Sequence, residues 1–462
     1  MKISSRSILA ITLFASACTT TRQTSQGGAV KQNYVEQNLL NDSILQYAQV
    51  GVAIFDPSGN KYLYSYKADK YFTPASNTKL FSCYAAMKYL GDSITGINYF
   101  ENDTAIFLYP TGDPTLLHPD YHNQPVIRFL QQSKKNIYIN PPKWNTTAWG
   151  EGWSWDDYAD DYMVERSSLP VYGNVVQWVQ ENNDTTGSSN PDFVPSPSIY
   201  SNPEVNWKVR FTADTSRRFR VGRDLNTNTF FITQGLERKA SQFVPFVTNG
   251  LQSALELLPD TVGKEITETP AATRRKLERT DALQLLAMQS VSSQPLDSML
   301  KPMMHRSDNF FAEQCLQMVS YDMFREFNEK KVIDSLLKKD LKDLPQSPAW
   351  ADGSGLSRMN LFSPEDFVAL LQKMEKEFGM PRMKNILATG GTGTLKNYYR
   401  SDSNYIFAKT GTLRGVVALS GYLITEKGKI LIFSVLVNNH NGSSTAIRRK
   451  VEAFLNEVRR SN

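Results

Sequence analysis

The chain has 462 residues, of which 40% are hydrophobic, 11% aromatic and 21% charged. This composition provides enough apolar side chains for a buried core and excludes wholesale disorder. The length suggests about three domains, or one large domain that carries insertions. The formal net charge of +5 is too small and too dispersed for a nucleic-acid-binding surface. Three cysteines and four histidines are too few for a disulfide scaffold or a cysteine-rich zinc site.

The first 17 residues have the pattern of a signal peptide. Lys2 and Arg6 precede an apolar run, 8–17, that is too short to span a bilayer. The run ends in ASAC, and a polar stretch with the character of a tether follows over 18–30. Cys18 therefore resembles the lipidated cysteine of a bacterial lipobox, which implies an exported protein with a lipid anchor in the membrane. Ordinary secretion with an unmodified cysteine is the alternative.

The next segment predicts a helix, a hairpin and a second helix. A helical pattern extends from Lys31 to Gln49. The sequences GVAIFD and KYLYSY alternate apolar and polar residues on either side of PSGN, which predicts a β-hairpin. The sequence ASNTKLFSCYAAMKYLG begins with small polar residues, continues with good helix formers and ends at Gly91. It predicts a helix that begins near Ser76.

The middle of the chain, 96–280, contains short strand-like runs and turn-rich loops and is predicted to be β-rich. Helical spacing then returns in DALQLLAMQSV, LDSMLKPMMH and NFFAEQCLQMVSYDMF. Three strand-like runs follow, YIFAKTG, GVVALSGYLIT and ILIFSVLVNN, and an amphipathic helix begins near Ser444. The first hairpin and the last strands could share one antiparallel sheet. We therefore predict an α+β catalytic domain, formed by 31–95 and 281–462, that is interrupted by the β-rich insertion.

The sequence Ser76-Asn77-Thr78-Lys79 begins the second predicted helix. Residues at i and i+3 share one face of a helix, so the hydroxyl of Ser76 and the amine of Lys79 can approach each other as nucleophile and base. A lysine has an ordinary pKa of about 10.4, and the site would have to lower that pKa for the amine to act as a base near neutrality. Taken alone, S-x-x-K also fits a simple helix start.

Two further motifs are ambiguous when each is taken alone. The SDN of Ser307 to Asn309 could cap a helix, and the KTG of Lys409 to Gly411 could be a solvated strand edge. In this order and context, S-x-x-K, S-D-N and K-T-G are the signature set of penicillin-binding proteins and class A β-lactamases, in which the substrate acylates the serine. The chain resembles that superfamily.

The spacing of the motifs favours one branch of the superfamily. Ser76 and Ser307 are 231 residues apart, and Ser307 and Lys409 are 102 residues apart. A compact β-lactamase has no room for the first gap. The layout resembles class C penicillin-binding proteins, the D-alanyl-D-alanine carboxypeptidase/endopeptidase family, and ADGSGLSRMN, LKPMMHRSDN, GTGTLK and KTGTLRGVVALSGYL extend the resemblance. It implies a transpeptidase-like fold, with an antiparallel sheet flanked by helices and with two nested subdomains in the insertion.

The resemblance also implies a role for each motif residue. Ser76 attacks a carbonyl, Lys79 removes its proton, and Ser307 relays the proton to the leaving amine. Asn309 holds Lys79 or a substrate amide, and Lys409 supplies a cation for the terminal carboxylate of the substrate. The remaining expected contributions are a hydroxyl from Thr410, close approach of the substrate backbone at Gly411, and an oxyanion hole formed by the N–H groups of Ser76 and Thr412.

Contacts to the stem peptide are implied outside the three motifs. Arg358 in GLSR is placed near the peptide, and Thr394 is placed in a loop that faces the site. The segment GWSWDDYADDY resembles the stretch of the inserted domain that contacts the diaminoacid of the peptide. Asp156 could supply the acid of this stretch as readily as Asp157. This match nominates Asp157, Tyr158 and Tyr162. Glu165 only superficially resembles the deacylating glutamate of class A β-lactamases, so Lys79 is the simplest candidate for activating the deacylating water.

We therefore expect a serine-type D-Ala-D-Ala carboxypeptidase, with DD-endopeptidase activity as a second reaction, that acts on peptidoglycan stem peptides in the periplasm and is acylated by penicillins. It would need no metal or cofactor, and H-E-x-x-H, the motif of zinc peptidases, is absent. A β-lactamase-like hydrolase and a non-enzymatic protein that binds cell-wall peptide are the alternatives. Cys83 and Cys315 are expected to be buried behind the site, and the sequence leaves open whether they pair.

Overall fold

The computed structural model describes residues 39–181, 198–212, 218–279 and 288–462. The predicted signal peptide, the predicted tether and Cys18 lie outside these ranges. Over the described ranges, no helix combines the length and the apolar character that crossing a membrane requires.

The strands of the described residues are numbered in chain order. They are β1 (Gln49–Asp56), β2 (Lys61–Tyr66), β3 (Ser93–Glu101), β4 (Ala105–Pro110), β5 (Asn136–Ile139), β6 (Val175–Glu181), β7 (Ser198–Asn202), β8 (Val209–Thr212), β9 (Arg220–Arg223), β10 (Phe230–Thr233), β11 (Lys239–Pro245), β12 (Ile266–Glu268), β13 (Gln289–Pro295), β14 (Ala388–Thr389), β15 (Ile406–Leu413), β16 (Val416–Ile424) and β17 (Ile430–Asn438).

The α-helices are numbered in the same way. They are α1 (Lys79–Tyr89), α2 (Pro125–Gln132), α3 (Gln252–Val262), α4 (Ala271–Arg279), α5 (Leu296–Arg306), α6 (Asn309–Phe324), α7 (Glu329–Lys338), α8 (Pro364–Phe378), α9 (Met380–Ile386) and α10 (Ser444–Ser461).

The catalytic domain is built on a six-stranded antiparallel sheet with the order β14-β15-β16-β17-β1-β2. The predicted hairpin is confirmed as β1 and β2, and it joins the last strands because β1 pairs with β17 from Gln49↔Asn438 to Phe55↔Ile432. Successive side chains of a strand point to opposite faces. Because nearly every residue of β1, β16 and β17 is buried, the central part of the sheet is covered on both faces.

Helices cover each face of this sheet. Ala53 and Phe55 of β1 belong to a core that includes residues of α1, α5, α6, α7 and α8. Val52 and Ile54 of the same strand belong to a second core, which includes Ile447 and other residues of α10. The predicted antiparallel sheet flanked by helices is thus confirmed, and α1 and α6 lie side by side in the first core, where they present the first two motifs.

The insertion contains a five-stranded sheet with the order β12-β5-β4-β3-β13. Strands β4, β5 and β12 are parallel, and α2 lies between β4 and β5 in the chain. The β-rich prediction missed three helices, α2, α3 and α4. The apolar stripes of α2 and α3 are short and lie among turn-rich stretches, and α4 is mostly polar. Two three-stranded sheets, β8-β10-β9 and β11-β6-β7, share a core with this sheet.

Strand pairing favours insertion boundaries that differ from the predicted 96 and 280. β3 begins at Ser93, and its partner β13 ends at Pro295, so both strands belong to the sheet of the insertion. The predicted helix DALQLLAMQSV is wrong over its last residues, because β13 begins at Gln289. Its first residues, 281–287, lie outside the described ranges. Tertiary pairing with β3 overrides the helical spacing there.

The predicted helix from Lys31 to Gln49 is also wrong beyond residue 40, since only 39 and 40 of its described residues are helical in a turn of π type before the chain leaves the helix. Residues 31–38 lie outside the described ranges. Beyond them, Ser43–Leu45 form a single 3-10 turn in which the side chain of Asp42 accepts a hydrogen bond from the N–H of Ile44, and β1 begins at Gln49. The other predicted helices and strands of the catalytic domain are confirmed within a few residues, although α1 begins at Lys79 rather than near Ser76.

Candidate active site

Ser76 lies in a 3-10 turn, Ala75–Thr78, that leads directly into α1. The side chain of Ser76 is half-buried. The turn is held against the sheet by Asn77, whose Nδ2 donates to Ser420 Oγ of β16 at 2.7 Å. Gly355 also borders the turn, and a Cβ there would lie 1.9 Å from the carbonyl oxygen of Ala75. The nucleophile candidate is therefore presented by backbone that is fixed on two sides.

Lys79 is fully buried, and its amine makes three hydrogen bonds. Nζ lies 3.0 Å from Ser76 Oγ, 2.6 Å from Asn309 Oδ1 and 2.7 Å from the carbonyl oxygen of Ser354. Burial lowers the pKa of Lys79 to about 8, while the carboxylates of Asp352, Glu313 and Asp308 act in the opposite direction. The lowered pKa that a catalytic base needs near neutrality is thus produced by desolvation.

The SDN motif lies at the junction of α5 and α6. Ser307 ends α5 in the left-handed conformation, with φ of +63°, and Asp308 caps α6 by accepting a hydrogen bond from the N–H of Phe311. Asn309 begins α6, and its Nδ2 donates to the carbonyl oxygen of Tyr162 at 2.9 Å. The amide of Asn309 is therefore oriented by the insertion, with its oxygen toward Lys79.

Lys409 lies on β15 with its side chain fully buried. Nζ donates to Ser307 Oγ at 2.8 Å and to the carbonyl oxygen of Thr410 at 2.7 Å. Burial is the main cause that lowers the pKa of Lys409 well below its ordinary value, and the charges of Lys79 and Arg448 lower it further. A bound carboxylate would favour the charged form.

The other residues of the third motif have protein partners in this structure. Thr410 Oγ1 donates to Thr394 Oγ1 at 2.8 Å, and Thr412 Oγ1 accepts a hydrogen bond from Arg448 of α10. A Cβ on Gly411 would lie 2.6 Å from the carbonyl oxygen of Pro74. The glycine thus allows β15 to approach the turn that carries the nucleophile. This contact explains the need for glycine at 411 differently from the expected approach of the substrate backbone.

Asp352 lies in the connection between α7 and α8. It is fully buried, and it organises the loop around it. Its carboxylate accepts hydrogen bonds from the N–H groups of Gly355 and Ser357 and from Asn360 Nδ2. It also accepts one from Trp153 Nε1 of the insertion at 2.9 Å. The loop that provides the Ser354 carbonyl is therefore tied to the insertion. Arg358 is exposed at its edge.

Arg358 lies over the turn between β15 and β16, because its guanidinium donates to the carbonyl oxygen of Arg414 at 2.9 Å.

The three nominated residues of the insertion are placed differently from one another. Burial and hydrogen bonds to Asp157 and Asp160 raise the pKa of Tyr162, whose carbonyl oxygen contacts Asn309. The hydroxyl of Tyr158 instead donates to the carbonyl oxygen of Arg223 at 2.8 Å, within the insertion.

Three parts of the site were not nominated from the sequence. Glu313 accepts a hydrogen bond from the N–H of Ser354, and Arg166 pairs with Glu313. Glu313 stands four residues after Asn309 on α6, and that helical spacing was a usable signal. The Ser354 contact with Lys79 is made by backbone, and Arg166 belongs to the insertion, so neither left a motif.

Glu165, Cys83 and Cys315, which were also considered from the sequence, take part in structural contacts or are buried. Glu165 Oε2 accepts hydrogen bonds from the N–H and hydroxyl of Thr248, both at 2.8 Å. Cys83 and Cys315 are buried, as predicted, and both thiols are free. Burial raises the pKa of Cys83 to about 12. Across the described part of the chain, no group of three or more His, Cys, Asp or Glu side chains is arranged to hold a metal ion.

Comparisons with known proteins agree with this arrangement. The model of the D-Ala-D-Ala carboxypeptidase 3 (S13) family matches residues 32–458. The chain is 22% identical over 434 residues to D-alanyl-D-alanine carboxypeptidase DacB of Haemophilus influenzae, covering 87% of this chain and 88% of the relative. It is 25% identical over 439 residues to D-alanyl-D-alanine carboxypeptidase of Actinomadura, covering 87% and 80%.

Solved structures show the same fold. The crystal structure of penicillin binding protein 4 (dacB) from Haemophilus influenzae superposes with a TM-score of 0.66 at 20% identity, covering 92% of this chain and 98% of that protein. A structure of the same protein in complex with a β-lactam superposes with a TM-score of 0.64 at 18% identity, covering 93% and 99%. The predicted α+β penicillin-binding fold is thus confirmed.

Proposed function

The chain belongs to the D-Ala-D-Ala carboxypeptidase 3 (S13) family, and we propose that it releases the terminal D-Ala of peptidoglycan stem peptides through an acyl-enzyme at Ser76. The observation that carries the proposal is the set of three contacts that surrounds the amine of Lys79. A family match over 32–458 does not favour a β-lactamase-like hydrolase or a non-enzymatic wall-binding protein.

The contacts of Lys79 suit a general base. Asn309 Oδ1 and the Ser354 carbonyl oxygen can only accept hydrogen bonds, so they take two N–H groups of the neutral amine. The lone pair of the amine is then directed at Ser76 Oγ, 3.0 Å away. Lys79 takes the hydroxyl proton while Ser76 Oγ bonds to the carbonyl carbon of the penultimate D-Ala. The N–H groups of Ser76 and Thr412 would hold the resulting oxyanion.

The contacts of Ser307 suit proton delivery to the leaving group. Its oxygen accepts a hydrogen bond from Lys409, which leaves its own proton available to the cleft. When the tetrahedral intermediate collapses, the C–N bond breaks and the nitrogen of the leaving D-Ala takes the proton of Ser307. Ser307 regains a proton from Lys79. Lys409, Thr410 and Thr412 would receive the terminal carboxylate, with the guanidinium of Arg448 close by.

Hydrolysis of the acyl-enzyme completes the cycle. Lys79, neutral again, takes a proton from water while the water oxygen bonds to the acyl carbon. The ester bond then breaks and Ser76 Oγ recovers a proton. Glu165 is excluded from this step by its contacts with Thr248, which lies within the insertion. The same cycle with an amine from a neighbouring stem peptide as leaving group would give DD-endopeptidase activity.

The insertion borders the cleft beside Asn309, and this placement supports a contact between the stem peptide and the segment of Asp157 and Tyr162. Tyr158 would act there by supporting the segment, since its hydroxyl is engaged by Arg223. Arg358 would contact the peptide from the opposite loop. These contacts would favour a peptide that presents a cationic diaminoacid.

Substrate chemistry places the enzyme outside the cytoplasm, and the signal-peptide pattern before Cys18 supports export with a lipid anchor. Penicillins mimic D-Ala-D-Ala, and the solved β-lactam complex of the Haemophilus influenzae protein supports acylation of this chain by them. Incorporation of a labelled fatty acid into the wild type but not into Cys18→Ser would support the anchor. Equal labelling of both would contradict it.

The reaction is tested by mass spectrometry of purified muropeptides after incubation with the protein. Loss of one D-Ala from pentapeptides establishes carboxypeptidase activity, and conversion of cross-linked dimers to monomers establishes endopeptidase activity. Muropeptides that remain unchanged, with a folded protein, would overturn the proposal.

The nucleophile is tested with a fluorescent penicillin. Covalent labelling is expected in the wild type and in the control Ser93→Ala, which changes an exposed serine at the start of β3. Ser76→Ala is expected to lose all labelling. Full labelling of Ser76→Ala would refute the assignment, and rapid turnover of penicillin without a persistent acyl-enzyme would indicate a β-lactamase.

A further inference from the structure

The carbonyl of Ser354 contacts Lys79, and its orientation depends on Glu313. The N–H of Ser354 donates to Glu313 Oε1 at 2.7 Å, on the opposite side of the residue from the carbonyl that accepts from Lys79 at 2.7 Å. The preceding residue, Gly353, lies directly against α6, where a Cβ would be 2.6 Å from the carbonyl oxygen of Ala312. Ser354 is therefore fixed between Lys79 and a carboxylate of α6.

Glu313 is held in turn by an arginine of the insertion. Arg166 Nη1 lies 3.4 Å from Glu313 Oε2 and 3.2 Å from Glu329 Oε1. The exposed fractions of these side chains are 0% for Arg166, 1% for Glu313 and 6% for Glu329. The other end of the guanidinium donates to the carbonyl oxygens of Thr147 and Trp149 at 2.9 and 2.8 Å. Buried charges of this kind are costly unless they are paired and hydrogen-bonded.

We propose that Glu313, held by Arg166, is a positioning residue for acylation, which orients the Ser354 carbonyl on Lys79 and supplies a negative charge that sets the strength of this base. The inference rests on the proposed function, because it concerns the same lysine. Glu313 does not reach the substrate or the reacting atoms itself. It acts through Ser354 and through its charge.

Several charged groups act on the pKa of Lys79, each in a definite direction. Asp352, Glu313 and Asp308 raise the pKa of Lys79 against the dominant effect of burial, which brings the value to about 8. Lys409 faces Lys79 from β15, and Lys79 contributes to the lowered pKa of Lys409. Glu329 shares Arg166 with Glu313 and accepts a hydrogen bond from Gln317 Nε2 at 3.1 Å.

The contacts of Glu313 favour its ionised form. Oε1 accepts a hydrogen bond from the N–H of Ser354 at 2.7 Å, and Oε2 lies 3.4 Å from the guanidinium of Arg166. Burial and the charge of Asp352 raise the pKa of Glu313, whereas Arg166 and the hydrogen bonds from Ser354 lower it. The pairing with Arg166 thus keeps a negative charge beside the loop that contacts Lys79.

Both acceptors on Lys79 are consequently supported by one short segment of the insertion. The Tyr162 carbonyl orients Asn309, and Arg166 holds the carboxylate that orients Ser354. The insertion thus contributes to the geometry of the base without touching it. A structural role alone would affect stability but would leave the ionisation of Lys79 unchanged.

The test is the pH dependence of the acylation rate constant, measured with a fluorescent penicillin between pH 6 and 9.5. Glu313→Gln keeps an oxygen that can accept from Ser354 and removes the charge. In this variant, the rise of the acylation rate constant with pH is expected to shift to lower pH by on the order of one unit relative to wild type. This rising part of the profile is called the acid limb. The matched control is Glu329→Gln, which removes the other carboxylate paired with Arg166, and its limb is expected to coincide with wild type. Coincident limbs for Glu313→Gln and wild type would overturn the inference.

A second variant tests the orientation of the carbonyl. Glu313→Leu removes the acceptor as well as the charge, and its acylation at the optimal pH is expected to fall at least about 10-fold below that of Glu313→Gln. Equal rates in the two variants would overturn the positioning role. If Glu313→Leu does not fold, the shift in Glu313→Gln alone decides. A wild-type chain that is not acylated overturns the proposed function instead, so the two failures are distinguishable.

Discussion

Lys409 Nζ lies 2.8 Å from Ser307 Oγ, although the two residues are 102 positions apart in the chain. Lys409 is fully buried on β15, whereas Ser307 is half-buried at the end of α5. The contact joins the second and third motifs in the way that Lys79 joins the first and second through Asn309. Each neighbouring pair of motifs is thus joined by a hydrogen bond from a buried lysine.

Replacing the hydroxyl of Ser307 is expected to interrupt proton delivery to the leaving amine. Ser307→Ala should lower the rate of D-Ala release by about 100-fold, the lower end of what a positioned acid–base group contributes. The control is Ser93→Ala, which removes an exposed hydroxyl at the start of β3. Wild-type turnover by Ser307→Ala would remove Ser307 from the proton path.

The rate of acylation is expected to rise with pH through about 8. Burial lowers the pKa of Lys79 to about 8, and only the neutral amine can take the proton of Ser76. Below that pKa, the neutral fraction falls about tenfold for each unit of pH. Rate constants measured with a fluorescent penicillin should follow this limb. A rate that is constant from pH 6 to 9 would contradict the assignment of Lys79 as the base.

An added methyl group at Gly411 is expected to displace the nucleophile. A Cβ there would lie 2.6 Å from the carbonyl oxygen of Pro74, beside the turn that carries Ser76. Gly411→Ala should reduce acylation by about 100-fold, the effect of a displacement of roughly 1 Å at a reacting group. Gly222→Ala, in β9, is the control, because nothing lies within 4 Å of a Cβ at that position. Equal acylation by both variants would show that the turn tolerates the methyl group.

The buried carboxyl of Asp113, three residues after β4, is expected to make stability depend on pH. Burial raises its pKa from 3.8 to about 6, against hydrogen bonds from Ser293 and Thr115. The folded chain therefore retains a proton that the unfolded chain loses near pH 4. The stability contributed by this proton is complete below pH 3.8 and is lost as the pH rises through 6.

Asp113→Asn cannot ionise and should escape that loss. The thermal unfolding midpoint of this variant is expected to rise relative to wild type between pH 4 and 7, by the equivalent of up to about 3 kcal/mol. Asp103→Asn, an exposed aspartate before the same strand, should show no such change. A difference between Asp113→Asn and wild type that is the same at both pH values would contradict the buried protonated carboxyl.

Local patterns were sufficient for the parts of the fold that local forces decide. The β1–β2 hairpin, α5, α6 and the last three strands follow alternation, helical spacing and turn residues. The helical spacing before Gln289 failed because pairing with β3 is a long-range interaction. Likewise, the three motifs predicted the side chains that meet at the cleft, whereas the contacts of Ser354 and Arg166 depend on backbone position and on a second domain, which no local pattern records.

The pairing of β3 with β13 also affects how the site assembles. Ser93 lies opposite Pro295 in this pair, so the chain enters and leaves the insertion at one place. Once the insertion has folded, the loop that closes between Ser76 and Ser307 has about 30 residues rather than 231. Three halvings of loop length reduce the entropy of closure by about 2 kcal/mol. The chain-entropy cost of the long gap thus falls on folding of the insertion, and the first two motifs then meet as though they were near neighbours in sequence.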